Sequence, residues 1–500
     1  VRVLVVPEVY RADDATACGT VRDAATWVER WLDRDPTVHV YWLLPPREEA
    51  NYERGDVLAD RRRVTLIEAP PLGRGEGREL LTDVGYSTAQ LEGLRERIYG
   101  EGAYLDVVVD QLRGGRFALS EWLLEQVDQW AATVRPFDVV ANVHDLQVPF
   151  KYRYCSHRAD VQMRLELAGA AFADGRWFTA GVDRREFRVR AARVLDDRVA
   201  ADAAEDALTV GSPIRVDRFE ETYAEEPRTL HLAGSLWDKK NADRLLAVAE
   251  RLHGRFGVET ALSSMEEIPE RYAAPEWVRA YPNADRETYE RLLGEGDLTL
   301  SASEYETMAR TWFEQAASGQ VFVARDEPWV RECVPDDYRL LAGGDGRSSS
   351  ARRTSSDSAD PLADRAVWAV EHWAEAVAEN RRLVDYVRRT RSPGAVGERT
   401  YADLRRRVET KRDAYETRAG PERDAVAAVV DEAEANADGD AELPLSTVVE
   451  RTAAFAADGE PITEHPDYAL ADVVYALRSL GYVDTGEPGA PAFAPVHAMR

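Results

Sequence analysis

Short apolar runs alternate with amphipathic stretches over residues 1–215. The runs Val1–Val6, Val38–Leu44, Val64–Glu68, Leu105–Val109, Asp138–Asn142 and Trp177–Ala180 have strand length and favour β-branched or aromatic residues. Between them, Ala24–Leu32 and Leu119–Thr133 carry apolar residues at helical spacing. This is the βαβ rhythm of an open parallel sheet, whose strands are apolar on both faces because helices cover both sides. The rhythm restarts at Thr229, with strands Thr229–Ala233, Val258–Ser263, Leu298–Ser301 and Val321–Ala324 and helices Ala242–Gly254, Arg286–Leu293 and Thr311–Ser318. The pattern predicts an α/β protein with two Rossmann-like, doubly wound domains in tandem, residues 1–215 and 216–420.

Residues 343–361 are low in complexity and lack periodicity, so they read as a surface insertion in the second domain. Long helices are predicted over Leu362–Thr390 and Tyr401–Thr417. Residues 421–500 read as a small, mostly helical third domain, with helices Glu422–Ala435, Leu445–Phe455 and Pro466–Leu480 followed by an extended tail, Tyr482–Pro495. That order is similar to a winged helix.

Charge sharpens the picture. The 500 residues hold 91 acidic and 64 basic side chains, a formal net charge of −27, and only 4 of the basic ones are Lys, at 151, 239, 240 and 411. Excess carboxylate of this kind resembles the surfaces of salt-accumulating haloarchaeal proteins, which stay hydrated and soluble in concentrated salt. Broad binding to a phosphate backbone is disfavoured, most of all by residues 421–500, where 16 acidic side chains face 4 basic ones. A protein partner or self-association suits that region better than nucleic acid. Three cysteines, at 18, 155 and 333, are too few and too far apart for a disulfide framework or a zinc site, which fits a reducing cytoplasm. No leader pattern and no membrane-spanning apolar run stands out, while peripheral attachment at a membrane is left open.

Candidate chemistry gathers where predicted strands run into helices, the edge at which open α/β sheets bind ligands. One such stretch is Ser303-Glu304-Tyr305-Glu306, continuing through Thr311-Trp312-Phe313-Glu314 to Ser318-Gly319. Glu306 lies before the helix and Glu314 within it, so both carboxylates can serve one crevice as hydrogen-bond acceptors. The other is Ala233-Gly234-Ser235, ending in Lys239-Lys240-Asn241, which holds half of the lysines. A compact ammonium beside a helix start suits a diphosphate.

These two stretches resemble the retaining glycosyltransferases of the GT-B fold, family four in the usual classification, whose motif is two glutamates separated by seven residues. The resemblance implies transfer of a sugar from a nucleoside diphosphate sugar to a glycan, lipid or protein acceptor, with retention, no cofactor and no divalent metal. It implies that Glu314 holds the donor ribose, Glu306 the donor sugar and Lys240 the diphosphate, with Gly234 and Ser235 in the same donor loop. Glu332 fits the family's acidic residue further on. Asp138 to Asp145 resembles the strand that ends in a histidine near the transferred sugar, which makes His144 and Glu306 the catalytic candidates. The turn Ala17–Asp23, with Gly19, resembles the loop that approaches donor phosphate or acceptor.

Two positions depart from the family: Ser235 replaces a phosphate-binding arginine, and Ala309 a glycine. They favour an alternative function, a non-catalytic GT-B-like scaffold or regulatory protein acting through its C-terminal winged helix; a nucleotide-sugar epimerase is a third reading. Each candidate also has a plainer reading: a chance pair of glutamates, two solvated lysines, a structural histidine, a turn glycine. Gly73-Arg74-Gly75-Glu76-Gly77 lacks the last glycine of a dinucleotide loop and reads as a surface loop, and Cys155 with His157 makes no metal site without a third ligand.

Overall fold

The computed structural model describes residues 1–8, 19–44, 62–68, 93–94, 97–99, 103–111, 136–144, 146, 159–234, 240–306, 310–343, 360–417, 421–436, 442–455, 466–487 and 490–496. Expectations for Leu119–Thr133, the glycine-rich stretch at 73–77, Cys155, His157, Ser235, Lys239, Ala309 and most of 343–361 lie outside them. The chain divides into two compact units: residues 1–178, 184–210 and 397–500 in one, and 179–183 with 211–396 in the other. Both α/β domains expected from the apolar rhythm are present.

The first unit is built on seven parallel strands: β1 Arg2–Val6, β2 His39–Leu44, β3 Val64–Glu68, β4 Val107–Asp110, β5 Asp138–Val143, β6 Gly175–Phe178 and β7 Ala207–Thr209. They lie in the order β3-β2-β1-β4-β5-β6-β7, so the winding reverses between β1 and β4. β1 and β4 are buried at every position, which is why they read as unbroken apolar runs. Among the helices are α1 Gly19–Arg34, α2 Ala159–Phe172, α3 Gly181–Ala191 and α4 Asp197–Glu205. Trp27 and Trp31 of α1 pack edge-on against Trp177 of β6.

The second unit repeats the scheme with β8 Thr229–Ala233, β9 Glu259–Ser263, β10 Val278–Tyr281, β11 Leu298–Ser301, β12 Val321–Arg325 and β13 Leu341–Ala342. Their order is β10-β9-β8-β11-β12-β13, and the winding reverses between β8 and β11. α5 Ala242–Phe256, α6 Arg286–Glu295 and α7 Arg310–Ala317 connect them. The long helix expected over Leu362–Thr390 is two, α8 Pro361–Glu371 and α9 Trp373–Arg391, broken where His372 leaves helical geometry at φ −118° and ψ 45°.

Residues 397–500 complete the first unit. From Gly397 onward, α10 (Pro393–Thr417) lies against the first sheet: Trp31 Nε1 donates to Thr400 Oγ1 (2.9 Å), Trp177 Nε1 to Asp403 Oδ2 (2.8 Å), and Lys411 pairs with Asp138 (2.8 Å). α11 Pro421–Asn436, α12 Leu445–Phe455 and α13 Pro466–Ser479 follow, with an antiparallel sheet β14 (Leu443–Pro444), β15 (Tyr482–Asp484) and β16 (Ala492–Pro495) in the order β14-β16-β15. These elements share one hydrophobic core with the first sheet, in which Val474, Tyr475 and Phe493 join Leu4, Tyr104 and Phe137. The sequence reading treated residues 421–500 as a separate unit; the contacts unite them with residues 1–178.

Charge crosses that core in two buried pairs. Arg2 Nε meets Asp484 Oδ2 at 2.6 Å, and Arg478 Nη1 meets Asp106 Oδ1 at 2.5 Å. Tyr104 donates to Asp484 (2.8 Å) and stacks on Phe493. Burial pushes the Asp106 carboxyl upward, but Arg478 beside it holds it well below the usual carboxylate range. Among the described residues no helix is long and apolar enough to cross a membrane.

Candidate functional site

In the second unit, the reversal between β8 and β11 opens a crevice at the carboxyl ends of both strands, and the two strand-to-helix turns arrive there. From the β8 side, Gly234 takes φ +120°, its N–H donating to Ser263 O (3.0 Å), and Asn241 takes φ 54° before α5. Asparagine tolerates that left-handed turn better than most residues. Lys240 lies beside Gly234; a Cβ on Gly234 would lie 3.9 Å from Lys240 Cε. From the β11 side comes Glu306.

The two meet. Lys240 Nζ donates to Glu306 Oε2 at 2.7 Å, with both side chains largely withdrawn from solvent. The ammonium also lies 4.0 Å from the centroid of the Trp312 ring on α7, and Trp312 stacks on Trp329 at 5.2 Å. A cation over an aromatic face contributes about 0.5–2 kcal/mol, more as water is excluded. Gly234, Lys240, Leu245 and Trp312 line a small cavity here.

Glu314 sits two residues beyond Trp312, buried on α7, where its Oε2 accepts from the Tyr289 hydroxyl of α6 (3.1 Å). The next residue, Gln315, ties the helix to the sheet beneath: it donates to His231 O (2.9 Å) and to Gln320 Oε1 (3.1 Å), and accepts from Thr299 Oγ1 (3.0 Å). His231 completes the network through Ser263 Oγ (2.9 Å). Burial pushes its imidazole down to about 4, against a hydrogen bond with Gln320 that favours the charged form, so the ring is neutral at pH 7. Ser318 Oγ donates to Glu314 O (2.9 Å), and Gly319 turns the chain at φ +96°, where a Cβ would lie 1.9 Å from Thr222 O. Glu332 lies beside Gly181 within the second unit, its carboxylate 3.1 Å from where a Cβ on Gly181 would be.

In the first unit, Gly19 opens α1, and the adjacent Thr20 donates its hydroxyl hydrogen to Glu8 O (2.6 Å). His144, the residue after β5, places Nε2 2.9 Å from Glu8 Oε2, both side chains buried. So Gly234, Lys240 and Glu306 come together; Glu314 lies on α7 beyond Glu306 and accepts from Tyr289; His144 and Gly19 belong to the first unit. Sequence reasoning missed Glu8, Tyr289 and the use of Trp312 as a floor. A polar residue two positions beyond a strand was the available signal for Glu8. Tyr289 has none, since it arrives from a helix distant in sequence.

Solved structures resemble this architecture along most of the chain at low identity. Sucrose-phosphate synthase from Thermosynechococcus elongatus matches with a TM-score of 0.55 and 15% identity, over 82% of this chain and 99% of that one. The catalytic domain of starch synthase IV from Arabidopsis thaliana, bound to ADP and acarbose, matches with a TM-score of 0.56 and 12% identity, over 82% and 99%. A glycosyltransferase from Rickettsia africae gives 0.51 and 14%, over 81% and 98%. The fold is GT-B. Neither a family model nor a curated protein matches the chain by sequence. The GT-B scaffold places Lys240 and Glu306 at the winding reversal of one α/β unit and the Glu8–His144 pair at the carboxyl edge of the other.

Proposed function

We propose that this GT-B protein is a retaining glycosyltransferase of the family-four kind, transferring a sugar from a nucleoside diphosphate sugar without a divalent metal. The observation that carries the reading is the Lys240–Glu306 pair over Trp312, held at the reversal between β8 and β11 where a phosphate-bearing ligand meets a cation and helix amides. In this reading the diphosphate takes Lys240 from Glu306. Glu306 is thereby released to accept hydrogen bonds from the donor sugar, and the Lys240 ammonium stabilises the leaving diphosphate as its charge develops. Glu314, steadied by Tyr289, accepts from the ribose hydroxyls. His144, paired with Glu8, is the group assigned to the transferred sugar.

We further propose that the acidic composition suits a haloarchaeal cytoplasm and that residues 421–500 form a winged helix, supported by the helix and strand order α11, β14, α12, α13, β15, β16. Calorimetric titration with UDP and GDP in concentrated KCl tests donor binding. Release of UDP or GDP from a panel of donor sugars, with the product anomer read by NMR, tests transfer and retention. Failure of both nucleotides to bind sinks the reading; binding without release or transfer leaves the scaffold alternative.

A further inference from the structure

The winding of the first sheet reverses between β1 and β4, the counterpart of the reversal that gathers Lys240 and Glu306 in the second. Ligands of open α/β sheets lie at such reversals, outside the carboxyl ends of the strands. Gln111 is the residue immediately after β4 at that place, with its N–H donating to Val6 O at the end of β1 (3.0 Å). Glu8 follows β1 and His144 follows β5, with β4 between those strands. Neighbouring strands lie about 4.8 Å apart, so the 2.9 Å contact between Glu8 and His144 spans the width of β4, across the end that carries Gln111.

Gln111 is 1% exposed, and among the described residues neither the Nε2 nor the Oε1 of its side chain has a hydrogen-bond partner. Buried amides are almost always paired, and one that is not calls for a ligand or a function. A carboxamide offers a donor and an acceptor from one rigid plane, which matches the hydroxyls of a neutral polyol, each of which also donates and accepts. We propose that Gln111 is a specificity-determining residue that hydrogen-bonds a hydroxyl of an uncharged sugar held in the first unit beside the Glu8–His144 pair. The sugar as ligand class rests on the glycosyl-transfer reading; the site rests on the placement of Gln111.

The test replaces Gln111 by Met, its apolar counterpart in length and shape, in the full chain. Without ligand, Gln111→Met is expected to raise the thermal midpoint by about 2 °C or more, because it removes a buried amide that has no partner among the described residues. Maltose and glucose, as probes, are expected to bind at least tenfold more weakly to the variant by calorimetry. A midpoint that falls shows that Gln111 is an ordinary structural amide and overturns the proposal, as does unchanged sugar affinity. Should Gln111→Met fail to fold, the side-chain amide of Gln111 in selectively 15N-glutamine-labelled wild-type chain, assigned with Gln111→Asn, decides: movement on maltose addition supports the contact, and no movement overturns it. UDP and GDP binding by the wild-type chain reports separately on the donor site. Its loss would overturn the functional reading while leaving the Gln111 result to stand on its own.

Discussion

At the scale of single residues, Lys240 does two things at once, pairing with Glu306 and resting on Trp312. Lys240→Ala is therefore expected to weaken UDP or GDP binding by tenfold or more, about 1.4 kcal/mol or above. Lys239→Ala should change it far less; equal and negligible effects in calorimetry would return both lysines to solvated residues. Glu314→Ala is expected to weaken donor binding or turnover by at least tenfold, through hydrogen bonds to a charged group worth about 1.5–3 kcal/mol. The pH dependence follows from His231, held neutral with its pKa lowered from 6.5 to about 4. A depressed pKa means that stability is complete above the unfolded value of 6.5 and is lost as pH falls from there toward 4, roughly 3 kcal/mol at most. His231→Gln should flatten that limb of the urea-unfolding midpoint against pH, and an unaltered slope would remove His231 as its source. Glutamates 306 and 314 and the lysine pair were legible as a motif. Tyr289 and the neutral state of His231 were not, because both depend on groups that only the folded chain brings near.

At the scale of elements, the apolar runs located β3, β8 and β11 at their observed bounds, since Leu, Ile or Val recurs at every second position within each short run. β7, β10 and β13 escaped: each is a short strand at the edge of its sheet, where little apolar surface is required. The break at His372 escaped because the buried Ala369, Trp373 and Ala376 keep a helical spacing across it; in the structure the His372 ring stacks on Trp368 at 4.7 Å. The turn from α7 into β12 depends on Gly319, which combines a positive φ with backbone contact at Thr222. Gly319→Ala is expected to cost at least about 2 kcal/mol in urea unfolding, from strain and overpacking together. A loss within about 0.5 kcal/mol would show that the turn can shift, an effect no larger than an ordinary surface change.

At the scale of the whole molecule, the first unit is closed by the C-terminal hundred residues, whose side chains enter the core of the first sheet and bring Asp484 and Arg478 to Arg2 and Asp106. A chain ending at residue 420 is accordingly expected to deprive Arg2 and Asp106 of their charge partners Asp484 and Arg478 and to fail to fold its first unit, as read by circular dichroism and proteolysis. Asp484→Ala should destabilise by about 3–5 kcal/mol, whereas replacing Arg2 and Asp484 together by Met and Leu should cost much less, because the remaining charge is then no longer stranded. A truncated chain that melts cooperatively at the wild-type temperature would contradict this account. Taken alone, the sequence determined the two α/β halves, the position of the donor-like motif and the acidic surface, because periodicity, spacing and composition are local quantities. It did not determine that the chain's end belongs to its beginning, or that Glu8 meets His144 across the end of a strand carrying a glutamine whose side-chain amide has no partner among the described residues. Those depend on contacts between residues hundreds of positions apart or on strand order, and burial, which makes a charge or an amide consequential, exists only after the chain has packed.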